Sequence, residues 1–354
     1  MTPKFDKVHR RFKLNGNSYN HDALKEVAYS YIKEGEPFER VIGNFVADWL
    51  DHNDFIRTNT SGSTGKPKTI EVKKQAMVNS AIATGDYFNI SPGDKALLCL
   101  PLESIAGKMM LVRAMMLGLE LDIVSPSKFP SFDNYKTYDF SAMIPTQLYN
   151  SIERVSNIKT IIVGGAPVPI HLLKRIQNIE ATVYETFGMT ETVSHIAVRK
   201  LNHLKDGEQS NVFKLLPNIK ISQDDRGCLV INAPRLNSET IVTNDVVNII
   251  GKSEFEWLGR YDNVINSGGV KLYPETIEAK LQPEINQRFL VASKTDKELG
   301  EKLIMVLEGE RFDIPETVFQ GLDKYEKPKE MLFIPKFVET VSGKVQREKT
   351  LDLL

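Results

Sequence analysis

The sequence predicts an α/β fold, with a large N-terminal α/β domain that carries a β-rich subdomain and a small C-terminal α+β domain behind it. Three observations predict it. Residues 160 to 191 read as strand, turn, helix and strand in one compact unit. From about residue 219, short strands and turns replace that alternation. After Gly268 and Gly269 comes a helix and strand series large enough for a small domain of its own. At 354 residues the chain exceeds the usual single-core size, and the polar run before those glycines sets a boundary. The expected domains are 1 to 259 and 264 to 354, joined by a hinge at 260 to 263.

Residues 22 to 33 and 37 to 50 carry apolar side chains at helical spacing (Leu24, Val27, Ala28, Tyr31, then Val41, Phe45, Val46, Trp49), so the chain opens on two amphipathic helices. "TIEVKK", from Thr69, alternates as a strand, and residues 75 to 88 read as a helix. "ALLCL", residues 96 to 100, is a short buried strand, and "SIAGKMMLVRAMMLGL" is the helix behind it, with Met109, Met110, Met115 and Met116 as core filler. Next, "TIIV" is a strand, "GGAPVP" a turn, "IHLLKRIQN" a helix, "ATVYE" a second strand and "TFGMTE" the loop after it. Such a unit is a right-handed crossover with parallel, adjacent strands. Both following loops, residues 164 to 167 and 187 to 191, then emerge at one carboxyl edge, where open α/β sheets bind ligands. "IKISQ", "CLVINAP", "SETIVTNDVVNII" and "FEWLGR" read as the strands of the β-rich part. A helix over 274 to 281, strands near 288 to 293 and 302 to 308, a helix over 315 to 323 and a strand over 331 to 334 complete the chain.

Lysine and arginine number 45 against 46 acids, so no global field draws nucleic acid or an anionic membrane, and any anion needs a local site. The two cysteines, Cys99 and Cys228, exclude a disulfide scaffold and supply no metal-ligand spacing, which fits a reducing compartment. The N-terminus is charged and has no apolar signal region. The most apolar run, residues 96 to 124, is interrupted by Glu103, Lys108 and Arg113. The cytoplasm, without membrane insertion, is the expected location.

"TSGSTGKPK", residues 60 to 68, gathers hydroxyls, glycines and lysines between β-prone arms. A Walker phosphate loop follows its lysine with Ser or Thr and opens a helix, whereas Pro67 follows Lys66 here and a strand pattern comes next. The chemistry still suits phosphate: glycines let backbone amides approach an anion, hydroxyls donate, and lysine adds counter-charge. A solvated polar hairpin has the same composition. "YETFGMTET" sets Thr190 and Glu191 at a strand end, where Glu191 suits Mg²⁺ or a plain helix start, and Phe187 suits a flat base or the core. Asp245 in "TNDVV" is an acceptor for ribose hydroxyls or a turn aspartate. "GRYDNVINSGGVKLYPETIE" adds Arg260, Asp262 and a glycine turn, and "VSGKVQR" places Lys344 in another.

Six motifs in this order, "TSGSTGKPK", "GGAP", "FGMTE", "TND", "GRYDNVINSGG" and "SGK", span residues 58 to 347 and resemble the adenylate-forming superfamily of acyl-CoA synthetases, peptide-synthetase adenylation domains and luciferases. The resemblance implies a large domain that binds ATP and a carboxylic acid, and a small domain that closes over them. It implies that a carboxylate attacks the α-phosphorus, pyrophosphate leaves, and a thiol such as CoA displaces AMP. On this likeness Thr60, Ser61, Gly62, Ser63, Thr64, Gly65 and Lys66 cradle the departing phosphates. Gly164, Gly165, Ala166 and Pro167 line adenine, with Phe187 on its face and Gly188 beside it. Thr190 meets the α-phosphate and Glu191 the Mg²⁺, Asp245 and Arg260 hold the ribose, and Asp262 is the hinge. Lys344 is the catalytic lysine of the small domain, and Gly268 and Gly269 serve the CoA step after that domain turns.

The chain departs from the family pattern at Thr69, where "PKG" is usual, at Asn244, where "TGD" has glycine, and in the roughly 57 residues before the phosphate loop, a shortened N-terminal architecture. "GMTET" and "LPLESIAGKMMLVRA" look most like o-succinylbenzoate-CoA ligases of menaquinone biosynthesis. Such an aromatic dicarboxylate needs a cation or several donors for its non-reacting carboxylate. Lys108, Arg113, His195 and Arg199 are the candidates, with Thr192 and Ser194 as added hydroxyls. Rival readings are another aryl or short-chain acid-CoA ligase, acyl transfer to a carrier-protein phosphopantetheine, and a nucleotide-binding homologue without catalysis. A mobile ammonium delivered at closure stabilises the charge that grows on the α-phosphate oxygens, whereas thiolysis needs no such cation. Lys344→Ala is therefore expected to lose acyl-adenylate formation and keep thiolysis of supplied adenylate; equal loss of both half-reactions contradicts that role.

Overall fold

The computed structural model describes residues 3 to 59, 69 to 339 and 345 to 354. The chain divides into two compact units, Met1–Ile221 with Ile231–Ile241 and Gly251–Phe255, and Ser222–Val230 with Val242–Ile250 and Glu256–Leu354. Among the described residues no helix is long and apolar enough to cross a membrane.

In the first unit, neighbouring strands run in the order Val212–Leu215, His195–Lys200, Thr182–Gly188, Ile158–Val163, Tyr138–Met143, Lys95–Leu98, Glu120–Ile123 and Lys13–Leu14. From Thr182–Gly188 onward each pair is parallel. Successive side chains of a strand face opposite ways, and two apolar layers result. Leu97, Ile161 and Val163 pack with Leu148, Leu172 and Ile176 on one face. Leu98, Phe140 and Ile162 pack with Trp49, Met77 and Met109 on the other. The opening helices form as expected, at His21–Glu34 and Pro37–Leu50. Helix Ile105–Leu117 starts where Ser104 Oγ accepts from the Gly107 N–H and stops at Gly118, whose φ of 75° is the left-handed conformation that glycine adopts without a Cβ clash. Its four methionines are buried in the core, as their composition suggested.

The crossover is present: Ile158–Val163 and Thr182–Gly188 are parallel neighbours with helix Ile170–Ile176 between them. Its second strand is longer than the sequence implies, because "TFG" continues the strand instead of beginning a loop. The cause is an antiparallel partner, His195–Lys200, which pairs as far as His195 with Gly188. Phe187 and Gly188 are therefore strand residues. Gly188 is required there, since a Cβ would lie 2.5 Å from the Ser194 carbonyl oxygen.

In the second unit, Ile265–Ser267 pairs with Val270–Leu272 and Phe289–Asp296 with Gly300–Glu308, while Glu330–Ile334 runs parallel to Gly300–Glu308. Helix Pro274–Leu281 buries Ile277 and Leu281 against Val291, Leu303 and Met305. The helix expected over 315 to 323 is only the 3-10 turn Glu316–Phe319. Gly321, a poor helix residue, ends the pattern, and Phe319 and Leu322 reach the core without it.

Fully buried Asn202 ties the crossover together. Its Oδ1 accepts from the Val183 N–H at 2.8 Å, and its Nδ2 donates to the Ile176 and Ala181 carbonyls at 2.8 and 2.9 Å. Asn202→Ala strands three buried backbone groups, and the expected loss is on the order of 3 kcal/mol of unfolding free energy by urea titration.

Candidate active site

Of the expected phosphate-loop residues, Thr60, Ser61, Gly62, Ser63, Thr64, Gly65 and Lys66 lie outside the described residues, as does Lys344. The flanks of the first segment are strands Phe55–Asn59 and Thr69–Lys73, paired antiparallel with Asn59 opposite Thr69. A strand follows this segment where a Walker loop would open a helix. Around Lys344, Glu339 bridges Val345, and the Arg347 guanidinium donates to Glu278 Oε1 and Oε2 at 2.8 and 2.9 Å.

At the carboxyl edge of the first unit, the loops after Val163 and Gly188 lie side by side because their strands are adjacent and parallel, Val163 opposite Glu185. Gly164 sits so close to the second strand that a Cβ would meet Thr186 Oγ1 at 2.2 Å, and Gly165 has φ +83°. A side chain would clash at Gly164 and strain the backbone at Gly165. Glu185, which sequence reasoning passed over, ties the chain after the first loop to strand His195–Lys200: Oε1 accepts from the Val168 N–H at 3.3 Å and Oε2 from Arg199 Nε at 2.6 Å. Arg199 also lies over the Phe213 ring, so this acid-orienting candidate is already paired. Phe187 is half-buried, edge-on to Phe213 and Phe255.

The turn past Gly188 is held by Thr192, whose Oγ1 accepts from the Met189 N–H at 3.0 Å. Val193 has φ 68°, ψ −50°, a strained conformation for a β-branched residue that costs about 1–3 kcal/mol and is held by the packing around it. No sequence signal marks it. Glu191 is exposed; its carbonyl accepts from Asn237 Nδ2 at 3.2 Å, and among the described residues no ion pair engages its carboxylate. No group of three or more His, Cys, Asp or Glu able to hold a metal occurs among the described residues. A single free carboxylate of this kind suits Mg²⁺, which takes its other ligands from phosphates and water.

Fully buried Arg113 is the feature whose weight the sequence did not convey. Its Nη2 donates to Ser194 Oγ at 2.8 Å and approaches His195 Nδ1 at 3.4 Å, and its Nε reaches Thr84 Oγ1 at 3.3 Å. All three partners are neutral. No carboxylate pairs with it among the described residues, and burial pushes its pKa down to about 9. His195 Nε2 is buried with no partner among the described residues. Burial first, then the Arg113 charge, hold its imidazole well below the ordinary value, so it is neutral. Lys108, by contrast, donates to the Glu103 carbonyl at 3.2 Å, and burial lowers its pKa.

In the second unit, Asp245 is buried on strand Ile241–Gly251. Trp257 Nε1 donates to its Oδ1 at 2.9 Å, and Arg260 Nη1 stands 3.9 Å from its Oδ2. Arg260 also reaches Asp262 at 3.3 Å. Asn244, where the family pattern has glycine, receives Arg226 Nη1 on Oδ1 at 3.0 Å and lies 3.4 Å from Asp262 Oδ2. Gly268 and Gly269 both have positive φ, 57° and 84°, as a two-residue hairpin turn requires.

At this edge, then, a glycine turn stands beside a strand-end aromatic, and among the described residues Glu191 has no ion pair and Arg113 no carboxylate partner. The model of the AMP-binding enzyme family matches residues 23–233, and the chain belongs to that family. It is 35% identical to a solved acyl-CoA synthetase (AMP-forming)/AMP-acid ligase II-like protein from Dyadobacter fermentans, with a TM-score of 0.63 over 93% of this chain and 98% of that one. It is 25% identical over 326 residues to the 2-succinylbenzoate–CoA ligase of Lactococcus lactis, 86% of this chain and 72% of that protein. In fold it is like the o-succinylbenzoate CoA synthetase of Bacillus subtilis in complex with the acyl-adenylate OSB-AMP, at 18% identity and a TM-score of 0.75 over 96% of this chain and 95% of that one. The expected adenylate-forming α/β fold is therefore the one observed.

Neutral His195 makes a pH test. Its folded pKa lies below its unfolded value, so its contribution to stability is present above pH ~6.5 and is lost as pH falls, at up to about 1.4 kcal/mol per unit. Urea titrations of wild type between pH ~6.5 and ~5 should show that loss, and His195→Gln should flatten it.

Proposed function

We propose that this chain is an AMP-forming acid-CoA ligase that converts o-succinylbenzoate to o-succinylbenzoyl-CoA, a step of menaquinone biosynthesis, in the cytoplasm. Membership of the AMP-binding family and the likeness to 2-succinylbenzoate–CoA ligases support the reaction class. The observation that carries the substrate is Arg113. A buried charge without a counter-ion costs several kcal/mol, and a substrate that brings a second carboxylate offsets that cost only when it binds.

In this reading Arg113 holds the ring carboxylate, with Ser194 as a hydroxyl donor and His195 as a neutral partner. The succinyl carboxylate is then left to attack the α-phosphorus of ATP. Gly164, Gly165, Ala166, Pro167 and Gly188 leave space for adenine against Phe187, while Asp245 and Arg260 hold the ribose. Thr190 meets the α-phosphate, the segment from Thr60 to Lys66 takes the β- and γ-phosphates, and Lys344 stabilises the charge that grows during adenylation. Glu191 would hold Mg²⁺, which neutralises phosphate oxygens when bound. Asp262 is the hinge of domains 1 to 259 and 264 to 354. Rotation there brings Gly268 and Gly269 to the CoA step, in which the thiol forms the thioester and AMP leaves. The two buried thiols, Cys99 and Cys228, accord with a reducing cytoplasm.

The test is an acid panel with ATP, Mg²⁺ and CoA, read by mass detection of the thioester. It includes o-succinylbenzoate and 4-oxo-4-phenylbutanoate, the same acid without the ring carboxylate. Wild type should favour the dicarboxylate, and Arg113→Met should lose that preference by on the order of 100-fold in kcat/KM while retaining the monocarboxylate. A wild type that prefers the monocarboxylate, or forms no thioester from any acid, overturns the reading.

A further inference from the structure

We infer that Trp257 is a positioning residue for the nucleotide: its indole N–H fixes the Asp245 carboxylate in the orientation that receives the ribose hydroxyls. The inference rests on the reading of Asp245 as the ribose acceptor.

The Asp245 side chain is constrained at both ends. Its backbone N–H donates to Thr243 Oγ1 at 3.0 Å, and that hydroxyl lies 2.9 Å from the Leu229 carbonyl. At the carboxylate, Oδ1 receives Trp257 Nε1 at 2.9 Å, whereas Oδ2 is 3.9 Å from Arg260 Nη1, beyond hydrogen-bond distance. One oxygen is therefore engaged, and the other keeps its acceptor capacity. A vicinal diol needs an acceptor whose lone pairs are already aimed, because swinging a free carboxylate into place costs rotamer entropy at the moment of binding. The indole is suited to this task. It donates one hydrogen bond and accepts none, so it cannot itself receive a ribose hydroxyl, and it acts only through Asp245. The acceptor is nearly buried while Trp257 is half-buried, which makes the bond stronger than one in open water. Trp257 and Asp245 stand on neighbouring strands, Glu254–Arg260 and Ile241–Gly251, so the pair is set by sheet pairing and not by a mobile loop.

Trp257→Phe keeps a ring in the strand and removes only the donor. In pyrophosphate exchange, the variant should raise KM for ATP by on the order of tenfold with kcat within about twofold, the pattern of a lost binding contact. Its preference for ATP over 2′-deoxyATP should shrink, because a disordered Asp245 no longer reads the diol. That ratio is internal to each variant, so a general loss of stability does not produce it. Added to Asp245→Ala, the Trp257 change should have no further effect on KM. Asp245→Ala with an unchanged KM for ATP would remove the ribose role of Asp245 itself. A raised KM in Asp245→Ala, beside wild-type KM and wild-type 2′-deoxyATP discrimination in Trp257→Phe, would overturn the positioning role alone.

Discussion

The parallel pairing of Ile158–Val163 with Thr182–Gly188 is the constraint on which the first unit's site depends. Parallel neighbours deliver both of their following loops to the same edge, so the glycine turn at 164 and the turn at 189 are neighbours by topology before any side chain contributes. Asn202 and Glu185 then lock this arrangement. Asn202 satisfies backbone groups at the far end of the crossover, and Glu185 joins the chain at Val168 to Arg199 on the neighbouring strand His195–Lys200. Each is a buried polar group satisfied by well-defined partners, which fixes geometry more than an apolar contact would.

The site is shaped by close approach. Gly164 lies against Thr186 and Gly188 against the returning backbone at Ser194, so no Cβ fits at either position. Val193 carries the strain of that return. Strain of this kind persists only where surrounding packing over-determines it, and Val193 is packed in the main apolar core of the unit. The turn that presents Thr190 and Glu191 is therefore pre-formed by the fold.

Charge is distributed unevenly around this edge. Arg199 has its carboxylate in Glu185, whereas Arg113 has only neutral partners among the described residues and a histidine that its field helps to keep neutral. An ion pair closed within the protein adds to architecture. A buried cation left open favours an incoming anion, because the desolvation of the cation has already occurred in folding.

Much of this was legible in the sequence. Local periodicity identified the opening helices, the crossover and the helix Pro274–Leu281, because the spacing of apolar residues is a property of each segment by itself. The strand His195–Lys200 was not legible, nor was the extension of its partner through Phe187, since strand pairing depends on residues brought in from a distance. The failed helix over 315 to 323 has the same origin: its apolar residues found the core through a shorter turn. The four candidate cations, Lys108, Arg113, His195 and Arg199, were equivalent as letters. Only the tertiary structure separated paired Arg199 from Arg113, which has no carboxylate partner among the described residues, and only it joined Trp257 to Asp245, because burial and partnership are relations between distant residues and no single stretch of chain encodes them.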